Sequence, residues 1–173
     1  MKIEAENLVY GLNPSFEVAT AGRRIIQQAF IQDNVKNSAR MNKLRSKLES
    51  LNVPIKEVDK NQLWNMSNTK DHQGVILSCD PFQYGDVETC LAANRVLLID
   101  NVEDPQNVGA ILRSADCFGF HHVLLPSKGV PGIYGSVLKA SAGACEWLHI
   151  AKSSSANKYV NLAQKADFHV AAL

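Results

Sequence analysis

The chain has 173 residues, 46% hydrophobic and 20% charged, with a net charge of +1. That length admits one domain or two small ones, and the composition is ordinary for a globular protein. Near-neutrality excludes a global basic field but leaves room for a local basic patch.

Four cysteines, Cys79, Cys90, Cys117 and Cys145, lack paired metal-ligand spacing and are expected to be reduced and structural. The start, MKIEAENLVYG, has no basic-apolar leader pattern, and no run is long enough to span a bilayer. A cytoplasmic protein is the expectation; a mitochondrial protein without its presequence is the alternative.

In chain order, Asn13 and Pro14 open a helix through about Ala21. Residues 25–31 read as a strand. Residues 37–51 read as a helix with Met41, Leu44, Leu48 and Leu51 on one stripe and basic residues opposite. A short strand follows at 54–58. Asp59 and Gln62 form a capping box ahead of Leu63 and Trp64. Residues 74–79 are an apolar strand. Alternating short elements suggest a compact α/β module over 1–82. Residues 83–93 contain Gly85 and the acids Asp86 and Glu88 and read as a linker. From 94 to 173 the units lengthen. Strands are expected at 95–100, 122–125, 145–150 and 167–172, and helices at 106–117, 133–141 and 157–165. That alternation argues for a parallel sheet with right-handed crossovers.

The most informative run is Arg95 to Gly119, RVLLIDNVEDPQNVGAILRSADCFG. An apolar strand leads into a sharp turn at 100–105. An amphipathic helix follows, with Val108, Ile111, Leu112 and Ala115 on one face and Arg113 on another. Asp104 suits the N-cap, Pro105 the first helical position, and Gly119 the stop. Asn101, Asn107 and Arg113 are expected to gather near the loop, at the carboxyl edge of a parallel sheet where open α/β folds bind ligands.

The stretch from Asn101 through Asn107 and Gly109 to Arg113 resembles the first motif of the SpoU (TrmH-type) RNA ribose 2′-O-methyltransferases. Leu138 to Ala144 resembles the family's K-A-S-x-G-A segment. Tyr10-Gly11-Leu12-Asn13-Pro14 and His72-Gln73-Gly74-Val75 resemble the start and end of its small substrate-binding domain. The nearest subgroup by this resemblance is the bacterial 23S rRNA guanosine 2′-O-methyltransferases and their mitochondrial relatives. The implied fold is a small L30e/L7Ae-like RNA-binding domain followed by an incomplete parallel α/β (SPOUT) domain. The family's later G-x-E-x-x-G and L-N-x-S-x-A motifs, which form the knot that binds S-adenosylmethionine, do not occur before Leu173. The expectation is therefore a truncated chain without the methyl-donor site. The implied substrate is RNA, from the subgroup large-subunit rRNA, and the full-length family member is a homodimer.

Ribose methylation needs the 2′-hydroxyl held in line with the methyl donor and the developing alkoxide favoured. A guanidinium, permanently charged and rich in donors, suits that task. Arg113 is the candidate by motif position, with a surface arginine as the plain alternative. Asn107 is the candidate to orient ribose or Arg113, or is only a cap. Asn101 reads equally as simple turn chemistry, and so do Glu103 and Asp104, although paired acids also suit acid–base or metal work. Lys139 is a candidate phosphate contact or a solvated lysine, and Ser141 to Ala144 read as close-packing residues. Arg23, Arg24, Lys36, Arg40, Lys43, Arg45 and Lys47 form a basic cluster that would track an RNA backbone or simply be solvated. His72 is a base or, more simply, a turn residue. His121 and His122 lack a ligand partner at helical spacing. The absence of G-x-G-x-x-G counts against a dinucleotide fold. A non-catalytic RNA-binding module remains the alternative to a methyltransferase.

Overall fold

The structure is a computed structural model that describes residues 7–33 and 38–172. Lys36 and the first residue of the helix expected from Asn37 lie outside the described residues. Two sheets organise the chain. The first has strands β1 (Leu8–Tyr10), β2 (Ile26–Gln32), β3 (Ile55–Val58) and β4 (Val75–Cys79) in the order β1-β4-β2-β3. Strand β4 runs antiparallel to both neighbours, with Val9 opposite Leu77 and Ala29 opposite Leu77 on its other side. Strand β3 is parallel to β2. Helices α1 (Leu12–Ala21), α2 (Ala39–Ser50) and α3 (Lys60–Ser67) connect them.

Local chemistry sets these elements. The side chain of Ser38 accepts from Met41 N and starts α2, whose Met41, Leu44 and Leu48 are buried. Asp59 and Gln62 close the capping box of α3 as the sequence suggested. Strand β4 is buried at every residue, so it reads as a continuous apolar run rather than an alternation.

The second sheet is parallel throughout, β5 (Leu97–Leu98), β6 (His122–Leu124) and β7 (His149–Ala151), in that order. The stretch 83–93 ahead of it is no free linker. Asp86 accepts from Thr89 N to start α4 (Val87–Leu91), which lies against β6 and β7 and buries Cys90. Gly85 N donates to Ile150 O at 2.9 Å, and the Tyr84 hydroxyl accepts from Ile133 N at 2.8 Å. Its acids and glycine are cap and bridge chemistry, which in sequence looks the same as a loop.

Helix α5 (Pro105–Cys117) joins β5 to β6. Helix α6 (Gly135–Ala140) and a 3₁₀ turn at Ala144–Trp147 join β6 to β7, and α7 (Ala156–Lys165) follows. The strand expected over 145–150 therefore begins only at His149, because the chain first makes that turn. The strand expected over 167–172 does not form. Those residues have no regular structure and are mostly exposed. One hydrophobic core runs through both sheets, with Ile31, Leu44 and Leu77 from the first and Val108, Leu112, Val123 and Ile150 from the second.

Candidate functional site

The strand–loop–helix unit forms as its residues dictate. Asp104 Oδ1 accepts from Gln106 N at 2.9 Å, and Pro105 occupies the first turn of α5. The cap is thus Asp104, which removes the reading of Asn107 as the cap. Asn101 holds a left-handed backbone, φ 54°, a conformation asparagine tolerates better than most residues. Its Nδ2 contacts Asp100 Oδ2 at 3.5 Å. Val108, Gly109, Leu112 and Ala115 are buried, while Asn107 and Arg113 are exposed.

Asn107 and Arg113 do not gather as the sequence suggested. Six residues of helix separate them by about 9 Å along the axis and about 120° around it. Arg113 lies about 12 Å up α5 from Pro105. Neither side chain has a hydrogen-bond or ion-pair partner among the described residues. Asn107 therefore cannot hold Arg113 in this arrangement; each is offered outward separately.

The K-A-S-x-G-A segment packs directly on α5. A methyl group placed on Gly109 would stand 2.8 Å from Val137 O and 2.9 Å from Ser141 N, and would also strike Ala140. Backbones approach that closely only where one residue has no side chain. Gly143, at φ 91°, faces the first half instead. A methyl there would stand 2.6 Å from the Cβ of Glu17 and 3.2 Å from Pro14 Cα. The small residues serve two contacts, one on each side.

The basic cluster divides. Arg24 is not a surface residue. Its side chain is 1% exposed and ion-paired with the equally buried Glu146, so it is unavailable to RNA. Arg23 is exposed, but its Nη1 donates to Glu146 O at 3.1 Å and Leu148 O at 2.7 Å. Arg40 pairs with Glu17 at 2.9 Å and stacks 3.8 Å from the Phe16 ring centroid. Arg45 pairs with Glu57 at 3.2 Å. Lys43 is exposed and Lys47 half-buried on α2, neither with a hydrogen-bond or ion-pair partner among the described residues. Glu146 was not legible as a partner. Its only signal is a lone acid in the apolar run from Ala144 to Ile150.

Three short motifs meet at the junction of the two halves. His72 is 2% exposed and its Nδ1 accepts from Gly74 N at 3.0 Å, which supports the turn reading over the base. Burial, with nearby Lys60, pushes its pKa down. The next residue, Gln73, reaches the start of α1, where its Oε1 accepts from Leu12 N at 3.0 Å. Lys139 lies against Gly11, where a methyl would stand 2.7 Å from its Nζ and 3.3 Å from Gln73 Oε1. Half-buried there, Lys139 has its pKa lowered by burial, partly offset by Asp71. Tyr10, on the same strand end, has its pKa raised by burial and by Asp71 and Tyr134.

At the carboxyl ends of β5, β6 and β7 lies an open cleft of about 350 Å³, lined by Asp100, Asn101, Ser127, Lys128, Ser155 and Asn157 among others. It suits polar ligand groups. Pro126 and Ala156 give it some apolar lining, but it lies open to solvent, whereas sites for a ligand with an adenine ring bury most of it. The residues present do not by themselves fit S-adenosylmethionine. Among the described residues no three His, Cys, Asp or Glu side chains are grouped as metal ligands would be.

Comparison with known proteins matches residues 8–85 to the RNA 2′-O ribose methyltransferase substrate-binding family and residues 94–173 to the SpoU rRNA methylase family. A 23S rRNA (guanosine-2′-O-)-methyltransferase of Coxiella burnetii is 28% identical over 164 residues, 91% of this chain and 65% of that protein. An uncharacterized tRNA/rRNA methyltransferase of Synechocystis is 26% identical over 174 residues, 96% of this chain and 45% of that protein. The chain thus spans about half to two thirds of these relatives' length. A crystal structure of an RNA 2′-O ribose methyltransferase superposes with a TM-score of 0.72 at 20% identity, over 94% of this chain and 61% of that one. An AdoMet-bound rRNA methyltransferase of Sinorhizobium meliloti superposes at 0.68 and 16% identity, over 92% and 58%. The fold is shared with these methyltransferases, and the chain belongs to the SpoU rRNA methylase family, with that family's substrate-binding segment ahead of its methylase segment.

Proposed function

We propose that this chain carries the RNA-binding half and the first part of the catalytic half of an enzyme that methylates a ribose 2′-hydroxyl of ribosomal RNA. The observation that carries the reading is the match of two segments in order along one chain, substrate-binding at 8–85 and methylase at 94–173. Guanosine in large-subunit rRNA is the substrate suggested by the Coxiella relative. Such an enzyme would act in the bacterial cytoplasm or in mitochondria. No helix among the described residues is long and apolar enough to cross a membrane.

S-adenosylmethionine supplies the electrophilic methyl in this chemistry. The chain's own contribution is electrostatic. Arg113 would stabilise the alkoxide as the 2′-proton leaves, or fix the adjacent phosphate. Its guanidinium has no partner among the described residues and is distant from its own strand-end loop, so it would meet RNA or a second copy in a homodimer. Asn107 would contact ribose independently of Arg113. Lys43, Lys47 and Lys139 would neutralise phosphates.

The test is tritiated-methyl transfer from S-adenosylmethionine to unmodified ribosomal RNA, using the protein expressed from its own reading frame, with nuclease mapping of the product. Methyl on a ribose 2′-oxygen supports the proposal. RNA binding with no methyl transfer would instead favour a binding module.

A further inference from the structure

We propose that Arg24, Glu146 and Arg23 form an orientation lock that fixes the RNA-binding half against the methylase half, making them positioning residues rather than RNA contacts. The lock stands on geometry alone. Its use in presenting RNA to Arg113 rests on the proposed function.

Arg24 sits between α1 and β2, yet its guanidinium reaches three parts of the molecule. Nη2 pairs with Glu146 of the 3₁₀ turn in the methylase half. Nη1 lies 3.5 Å from Asp80 O, at the start of the connecting segment. The same guanidinium lies 5.7 Å from the Phe82 ring centroid. The adjacent Arg23 donates to the carbonyls of Glu146 and Leu148, the two ends of the same short stretch. From the other side, Trp147 Nε1 donates to Glu17 Oε2 at 3.1 Å, while Glu17 holds Arg40 of α2 through its other oxygen.

The surroundings are buried, Cys79 and Cys145 as well as the two charged residues. Burial pushes the thiols of Cys79 and Cys145 up to about 12. Arg24 Nε and Glu146 Oε2 have no partner among the described residues. A buried ion pair with unsatisfied atoms is a poor way to gain stability, because apolar residues of equal volume usually do as well or better. It does impose direction. Apolar burial is non-directional, whereas a buried charge pair is satisfied in few arrangements. Two halves joined by a connecting segment move relative to each other unless a large apolar interface holds them; in this chain a shared core joins the halves, and the buried pair sets their orientation within it. Here the segment that would serve as hinge is itself held by Arg24.

The 173-residue chain tests this directly. Cys117 is exposed and the other three cysteines are buried, so it takes one spin label; Asn42→Cys on exposed α2 takes the second. The wild-type distance distribution is expected to be single and narrow. In Arg24→Met/Glu146→Met the melting midpoint should be retained while the distribution widens by about twofold or more, towards the freedom of unlocked domains. Arg23→Ala, a change at an exposed residue, should widen it without unfolding the chain. Arg24→Lys should restore only part of the narrowing, since an ammonium lacks the fork. A broad wild-type distribution, or an unchanged width in both Arg23→Ala and the double variant, would overturn the lock. Failure of methyl transfer with a narrow wild-type distribution that widens in the variants would overturn the proposed function and leave the lock standing.

Discussion

Gly109 carries no side chain because the backbone of α6 occupies its place. Gly109→Ala should therefore destabilise the chain by about 1–3 kcal/mol, the range for overpacking, although alanine is the better helix former. Urea unfolding checks this; a stabilised variant would mean that α6 yields easily. A second residue-scale effect concerns histidines. His72 and His122 both have pKa values below the usual histidine range, each chiefly through burial, His122 also through His149 and His121. The unfolded chain then binds protons more readily than the folded one. The histidines should leave stability unchanged between about pH 7 and 8 and lower it as pH drops below about 6.5, while the buried thiols act only at alkaline pH. His72→Asn, which keeps an acceptor for Gly74 N, should lessen that fall. A urea midpoint that is constant from pH 7.5 to 5.5 would contradict this.

At the scale of elements, α5 was the most legible part of the chain. Asp104, Pro105 and the apolar period wrote its start and buried face into consecutive residues. Its functional arrangement was not legible, because sequence proximity of Asn107 and Arg113 says nothing of their different bearings around the axis. Strand β1 is invisible in sequence because Leu8–Tyr10 is too short to show an alternation, and only β4 gives it a partner. The strand expected at 167–172 had the right apolar residues, but the described residues offer it no neighbour. On α2, the basic residues look equivalent in sequence. Interactions with Glu17, Phe16 and Glu57, which are distant in the chain, separate Arg40 and Arg45 from Lys43 and Lys47. RNA affinity should fall with salt, and Lys43→Ala/Lys47→Ala should reduce the log–log slope by about 1 for each phosphate no longer neutralised. An unchanged slope would make α2 merely a solvated face.

For the whole molecule, the two-part organisation could be read from motifs, but the joint between the parts could not. The segment from Gly135 to Leu148 packs on α5 by one face and on α1 and β1 by the other. Such a role depends on residues more than a hundred positions apart, Arg23 and Glu146 among them. The open cleft at the strand ends leads to a further expectation. Calorimetry of the 173-residue chain with S-adenosylmethionine should show no specific heat, and micromolar binding would mean that these residues enclose the ligand in a way the cleft does not suggest.

The most direct measurement compares Arg113→Ala with wild type, each as the protein expressed from its own full reading frame, in tritiated-methyl transfer to unmodified ribosomal RNA, with circular dichroism to check the fold. Arg113 is exposed and unpaired among the described residues, so its removal should leave the structure intact. Loss of a transition-state stabiliser of this kind lowers the rate by about 10²–10³. Arg113→Lys should recover little of it. A folded alanine variant with near-native turnover would contradict the catalytic role and return Arg113 to the surface of an amphipathic helix.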